Sequence, residues 1–212
     1  MYTDIQFINY SLNPHLPKAG LFFDGGIGRR GKGAKPDTLL WHLIQKCGFH
    51  WRHPIRIHWD FACQFYDKSG NSIARKELPD PSAGRRRKLN VAARLGVDLN
   101  IVTVGGQEVL RVAKTGKSRV HRVELLKNGI PVAARRLSRP ETAVSFDLTN
   151  TLSLCADMRL DEGDGIEPNN VNITRRTFDL MGLRSVTIYM KGGEPGPSSG
   201  PIYFAISQIK RW

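Results

Sequence analysis

In the stretch Ile55-Arg56-Ile57-His58-Trp59-Asp60-Phe61-Ala62-Cys63-Gln64-Phe65 every odd position is apolar and the even positions are mostly polar. A period of two over that length puts one row of side chains on a core and the other in water. That is the pattern of a long half-buried β-strand, not of a helix. Asp67-Lys68-Ser69-Gly70-Asn71 ends the run with turn-forming residues, and Ser72 to Leu78 can return as the second arm of a hairpin. A lone hairpin is marginal in water, so further strands must cover it.

The rest of the chain supplies them. Val97-Asp98-Leu99-Asn100-Ile101 alternates and is closed by Gly105-Gly106. Arg119 to Leu126 and Ile130 to Leu137 flank Lys127-Asn128-Gly129, a strong hairpin-turn signal. Leu152, Leu154, Ala156, Met158 and Leu160 alternate against Ser153, Cys155, Asp157 and Arg159. Val186, Ile188 and Met190, then Ile202, Phe204 and Ile206, mark two closing strands around a Gly/Pro/Ser loop from Gly192 to Pro201. One helix is expected, over residues 36–47. Pro36 stands near its start, Gly48 follows its end, and Leu39, Leu40, Leu43 and Ile44 form one apolar stripe. The expectation is a mainly-β chain: a jelly-roll-like β-sandwich with one short accessory helix, a single domain spanning residues 1–212. No internal repeat, low-complexity tract or clean linker divides it.

Charge is where composition enters. The chain has 32 Lys and Arg against 19 Asp and Glu, a formal net charge of +13 over 212 residues. Residues 61–140 hold 17 basic and 6 acidic groups, net +11, whereas residues 141–212 hold 7 and 9, net −2. The densest run is Arg85-Arg86-Arg87-Lys88, followed by Arg94. It comes directly after Pro79-Asp80-Pro81-Ser82-Ala83-Gly84 and is expected on an exposed connection. Lys114, Lys117, Arg119, Arg122 and Lys127 form a second group, and Arg135, Arg136 and Arg139 a third. Clustering of this kind raises the local potential and favours a polyanionic partner. Arg85, Arg86, Arg87, Lys88, Arg94, Lys114, Lys117 and Arg119 are the candidate polyanion-binding residues. In Phe49-His50-Trp51-Arg52-His53 aromatic rings interleave with cations, and Trp51 is the candidate stacking residue. Core packing better accounts for Trp59 and Phe61, which share the apolar face.

Other motifs carry less. Gly26-Ile27-Gly28-Arg29-Arg30-Gly31 matches a dinucleotide-binding glycine pattern. It lacks an immediate helix, a repeated βαβ unit and an acidic residue about 20 positions on, so it reads as a basic glycine loop. Thr115-Gly116-Lys117-Ser118 ends like a phosphate-binding loop, but Arg111 stands where the first glycine belongs. His42, Cys47, His50, His53 and His58 lie close in sequence without a second ligand arm, so packing and surface roles are favoured over zinc. The acidic run Asp161-Glu162-Gly163-Asp164-Gly165-Ile166-Glu167 departs from the calcium-loop order and reads as a solvated turn. Cys47, Cys63 and Cys155 are odd in number and widely spaced, which points to free thiols rather than a disulfide framework. No G-x-S-x-G elbow or clear carboxylate pair is present, so a non-catalytic chain with no cofactor or metal is expected. No stretch approaches the ~18 apolar residues of a membrane span. The first residues lack the basic and apolar regions of a secretory signal, so an intracellular or virion setting is expected.

The C-terminal rhythm Asn172-Ile173-Thr174, Phe178 to Tyr189 and Pro201-Ile202-Tyr203-Phe204-Ala205-Ile206-Ser207-Gln208-Ile209 resembles the closing strands of galactose-binding-like and carbohydrate-binding β-sandwiches. In that family the last strand often reads I-Y-I-D-D-I; Ser207 and Gln208 stand here at the acidic positions. The resemblance implies a sandwich and carries over no sugar-binding residue. Single jelly-roll coat proteins share the architecture and turn basic surfaces towards packaged nucleic acid. Two functions follow as expectations. The first is a structural or binding protein contacting nucleic acid or another polyanion, in concrete form a homo-oligomeric coat-type protein. The alternative is a carbohydrate-binding module.

Overall fold

A computed structural model describes residues 1–12, 18–23, 38–45, 48–78, 87–89, 93–115, 117–137, 143–156, 161, 174–193 and 201–212. The strands are β1 (Tyr2–Asn9), β2 (Ala19–Phe23), β3 (His42–Ile44), β4 (Arg52–His58), β5 (Phe61–Tyr66), β6 (Ser72–Glu77), β7 (Arg87–Leu89), β8 (Val97–Val104), β9 (Gln107–Lys114), β10 (Arg122–Lys127), β11 (Ile130–Arg136), β12 (Ala143–Asp147), β13 (Thr151–Ala156), β14 (Thr174–Asp179), β15 (Leu183–Lys191) and β16 (Tyr203–Arg211). The fold is a mainly-β sandwich, as the alternation predicts.

The chain divides into two compact units, Met1–Phe23 with Leu40–Trp59 and Asn150–Trp212, and Asp24–Leu39 with Asp60–Thr149. The first unit contains two four-stranded sheets, β16-β15-β1-β4 and β14-β13-β2-β3. β1 and β15 run parallel; their neighbours pair antiparallel. Ile5, Phe7, Ile57, Ile188 and Met190 from one sheet and Leu21, Phe22, Leu152 and Leu154 from the other are buried. Each such side chain removed from water contributes about 1.5–3 kcal/mol. At one edge the sheets meet through His42 on β3 and His53 on β4, whose Nε2 atoms are 3.3 Å apart. The second unit contains the sheets β11-β10-β5-β6 and β12-β9-β8-β7, with the Arg135 guanidinium of β11 over the Phe146 ring of β12 at 5.8 Å.

The single long strand expected from Ile55 to Phe65 is two strands. β4 and β5 join different sheets in different units, and the chain crosses between them at Trp59–Asp60. The alternation runs unbroken through the crossing because both strands bury their odd residues. Trp59 is held by its backbone N–H on the Met1 carbonyl and by its indole Nε1–H on Thr3 Oγ1 at 2.8 Å.

The helix expected over residues 36–47 does not form across the described residues 38–45. There the Leu39 N–H donates to the Val132 carbonyl and the Trp41 N–H to the Leu21 carbonyl, and β3 pairs with β2 through Ala19↔Ile44, Gly20↔Leu43 and Leu21↔His42. Leu40, Trp41, Leu43 and Ile44 are all buried. A short apolar run covered on both sides has no alternation, so its period resembled a helical stripe. β13 likewise buries Ser153 and Cys155 as fully as Leu152 and Leu154, and Cys155 packs in a cluster with Phe22, Leu40 and Leu43. Among the described residues, helical structure is confined to a 3-10 turn at Ala93–Leu95, and no helix is long and apolar enough to cross a membrane.

Turn chemistry reads through. Asn128 and Gly129 take positive φ of 51° and 79° between β10 and β11, the geometry of a two-residue hairpin. Asp67 organises the β5–β6 turn by accepting from the Ser69 N–H, the Asn71 N–H and Asn71 Nδ2.

Candidate nucleic-acid interface

The basic excess belongs to one unit. The unit containing Asp60–Thr149 carries 21 basic and 11 acidic residues, net +10; the other carries 11 and 8, net +3. Within the basic unit one junction gathers half of the candidate residues. Gly96 follows the 3-10 turn at φ 67°, and a Cβ there would stand 2.8 Å from Ser118 Cα. This close approach is fastened by the Thr115 N–H on the Gly96 carbonyl and by Ser118 Oγ donating to the Leu95 carbonyl at 2.7 Å. The junction therefore brings together Arg94 on the turn, Lys114 at the end of β9, and Lys117 and Arg119 on the following loop. Arg94, Lys117 and Arg119 are exposed and Lys114 is half-buried. The Arg119 charge also reaches Asp67, whose carboxyl is held below its usual range chiefly by the hydrogen bonds of the turn.

The remaining candidates fall elsewhere. Arg85 and Arg86 lie outside the described residues. Arg87 and Lys88 belong to β7, opposite Ile101 and Asn100 of β8, instead of standing on a loop. Arg111 follows in the same row, opposite Asn100, and is exposed. Lys127, counted in the second basic group, is fully buried with Nζ 3.8 Å from the Phe61 ring centroid, so its charge is not offered to a ligand. Arg122 is tied to Glu124, which also accepts from the Tyr66 hydroxyl. Ser118 is occupied in the Gly96 junction, which gives the Thr115–Ser118 run a structural role. The Gly26–Gly31 loop and all of the acidic run except Asp161 lie outside the described residues; Asp161 pairs with Lys18 at 3.1 Å.

Trp51 is 58% exposed, on a short turn that the other unit presents beside a group of rings. Tyr10 stacks on Tyr189 with centroids 5.5 Å apart and meets His50 edge-on at 4.7 Å; His50 in turn meets Phe49 edge-on at 4.2 Å. Lys191 Nζ lies 5.4 Å from the Tyr189 centroid. Sequence spacing showed Phe49, His50 and Trp51 together. It did not show Tyr10 or Tyr189, which arrive through the parallel pairing of β1 with β15. Buried Asn9 fixes the turn: its backbone N–H donates to the Trp51 carbonyl, its carbonyl accepts from His50, and its Nδ2 reaches the Gly48 carbonyl at 3.5 Å. His50 sits at φ 65°, which costs about 1 kcal/mol and is sustained by these bonds.

Cys63 and Cys155 are buried and take part in no disulfide, and Cys47 lies outside the described residues. Among the described residues no three metal-ligating side chains converge. A groove of about 590 Å3 crosses the face of β16-β15-β1-β4, lined in part by Gln6, Thr187, Gln208, Lys210 and the Asp4–Arg56 ion pair. A bulge shapes it: Gln208 and Ile209 oppose Val186 alone, and Gln208, at φ 51°, accepts from Thr187 Oγ1. No family model, curated protein or solved structure matches the chain.

Proposed function

We propose that this is a non-catalytic binding protein whose basic unit contacts a polyanion, and that the polyanion is nucleic acid. The observation that carries the reading is the partition of charge, +10 on one unit against +3 on the other, with Arg94, Lys114, Lys117 and Arg119 drawn to one junction. Neutralising several phosphates releases condensed counterions, so log affinity falls linearly with log salt. The test is binding of a single-stranded oligonucleotide across a salt series. A steep negative slope supports the reading; a flat response, or no binding at low salt, overturns it. Its coat-protein form adds assembly of a nucleic-acid-filled shell. Negative-stain microscopy read with the 260/280 nm absorbance ratio decides that form.

The groove favours a second reading, carbohydrate binding. Its amides, hydroxyls and paired charges suit a polyhydroxylated ligand better than a phosphate chain. Salt-insensitive capture of a neutral glycan on an array supports it; retention of sulfated glycans alone returns the argument to charge.

A further inference from the structure

We infer that the rings on the Gly48–Trp51 turn form a stacking site for unpaired nucleobases, which makes the protein prefer single-stranded to duplex nucleic acid. The inference rests on the polyanion reading and adds to it a base-contacting surface in the other unit. Phe49 is 53% and Trp51 58% exposed, an unusual outlay of large apolar surface at two positions in one short turn. The turn is held ready for a ligand. Asn9 spends its backbone and side-chain groups on it, and Ser11 anchors the Asn9 carboxamide through both its N–H and its hydroxyl. Half-buried Tyr10 braces the turn, meeting Phe49 and His50 edge-on and stacking on Tyr189. Rings presented in advance lose little freedom on binding. Lys191 Nζ lies 5.4 Å from the Tyr189 centroid, so a cation accompanies the ring group, and Arg52 at the start of β4 is exposed. Planar apolar faces next to cations suit a base attached to a phosphate chain, and every base offers such a face without sequence preference.

The experiment compares three ligands of equal phosphate count at one ionic strength: a single-stranded pyrimidine oligonucleotide, its fully abasic counterpart and a duplex. Affinity is read for every variant from the anisotropy of an end-labelled ligand, and Trp51 quenching is followed separately in a Trp212→Phe background, since Trp41 and Trp59 are buried. The base-bearing single strand should bind at least about fivefold more tightly than the abasic one and quench Trp51. Phe49→Ala and Trp51→Ala should remove that preference and leave the salt slope and abasic binding unchanged. Trp51→Phe, which keeps a ring and guards against misfolding, should retain most of it. Equal binding of base-bearing and abasic strands overturns this inference and leaves the polyanion reading standing. Failure of all three ligands to bind at low salt overturns both.

Discussion

The indole Nε1–H of Trp59 donates to Thr3 Oγ1 at 2.8 Å, and the Thr3 hydroxyl donates onward to the Leu183 carbonyl at 2.7 Å. This buried relay ties the end of β4 to β1 and to the start of β15, at the point where the chain leaves one unit for the other. Thr3→Val keeps the shape and removes the hydroxyl that accepts from the indole N–H and donates to the Leu183 carbonyl. It should lower stability by about 1–3 kcal/mol in chemical denaturation. Thr3→Ser retains the relay and should lose less than Thr3→Val. Equal losses would mean that shape, not hydrogen bonding, holds the crossing.

The same crossing shows what the sequence could and could not reveal. Period-two alternation reports which side chains are buried, as at Ile55, Ile57, Trp59, Phe61 and Phe65. It says nothing about which sheet buries them, so one continuous pattern served two strands. The chain changes unit four times, at Phe23–Asp24, Leu39–Leu40, Trp59–Asp60 and Thr149–Asn150, so no one linker separates the two units in sequence. Hairpins were legible because their turns are local chemistry, as at Asp67–Asn71 and Asn128–Gly129. The Tyr10–Tyr189 stack was not, because parallel pairing joins residues far apart in sequence. The basic group was legible as charge. Only the structure separated buried Lys127 from exposed Lys117 and Arg119.

Burial, with a smaller push from the Glu77 carboxylate, raises the Cys63 thiol far above the range in which thiolate forms at neutral pH. Cys155 is equally inaccessible beneath the Gly20 carbonyl. In a Cys47→Ser background, an alkylating reagent at neutral pH should leave the native protein unmodified and add to both remaining thiols once denaturant unfolds it. Mass spectrometry reads the outcome, and rapid labelling of the native protein would contradict the packing around β5 and β13.

Gly96 combines a left-handed backbone with a close approach to Ser118, whereas Gly70 has φ 85° and open space around it. Gly70→Ala should cost about 1–2 kcal/mol for the backbone alone. Gly96→Ala should cost more, because its Cβ meets backbone atoms that cannot swing aside. It should also weaken polyanion binding without removing a charge, since it displaces the loop carrying Lys117 and Arg119. Unchanged binding by a folded Gly96→Ala protein would show that this junction does not organise the site.

The Asp67 carboxyl titrates below its ordinary 3.8, chiefly because the Asn71 N–H bonds the ionised form. A group depressed in the folded state contributes stability above its unfolded pKa, and that contribution fades as pH falls through the folded value. The stability difference between wild type and Asp67→Ala should therefore hold steady from neutral pH down to about 5 and shrink below 3.8. A difference that grew on acidification would reverse the sign and exclude hydrogen bonding to the carboxylate as its cause.

If the Gly96 junction supplies phosphate contacts, its charges must count individually in the salt slope. Each contact to a single strand contributes about 0.7 to the slope of log affinity on log salt. Replacing Arg94, Lys117 and Arg119 by Gln should make the slope shallower by about 2. Replacing the exposed Arg184, Lys210 and Arg211 of the other unit removes the same formal charge and should change the slope far less. Long-range attraction alone depends on total charge and would treat the two triple variants alike. A local phosphate-binding surface distinguishes them, so the comparison separates contact from mere net charge.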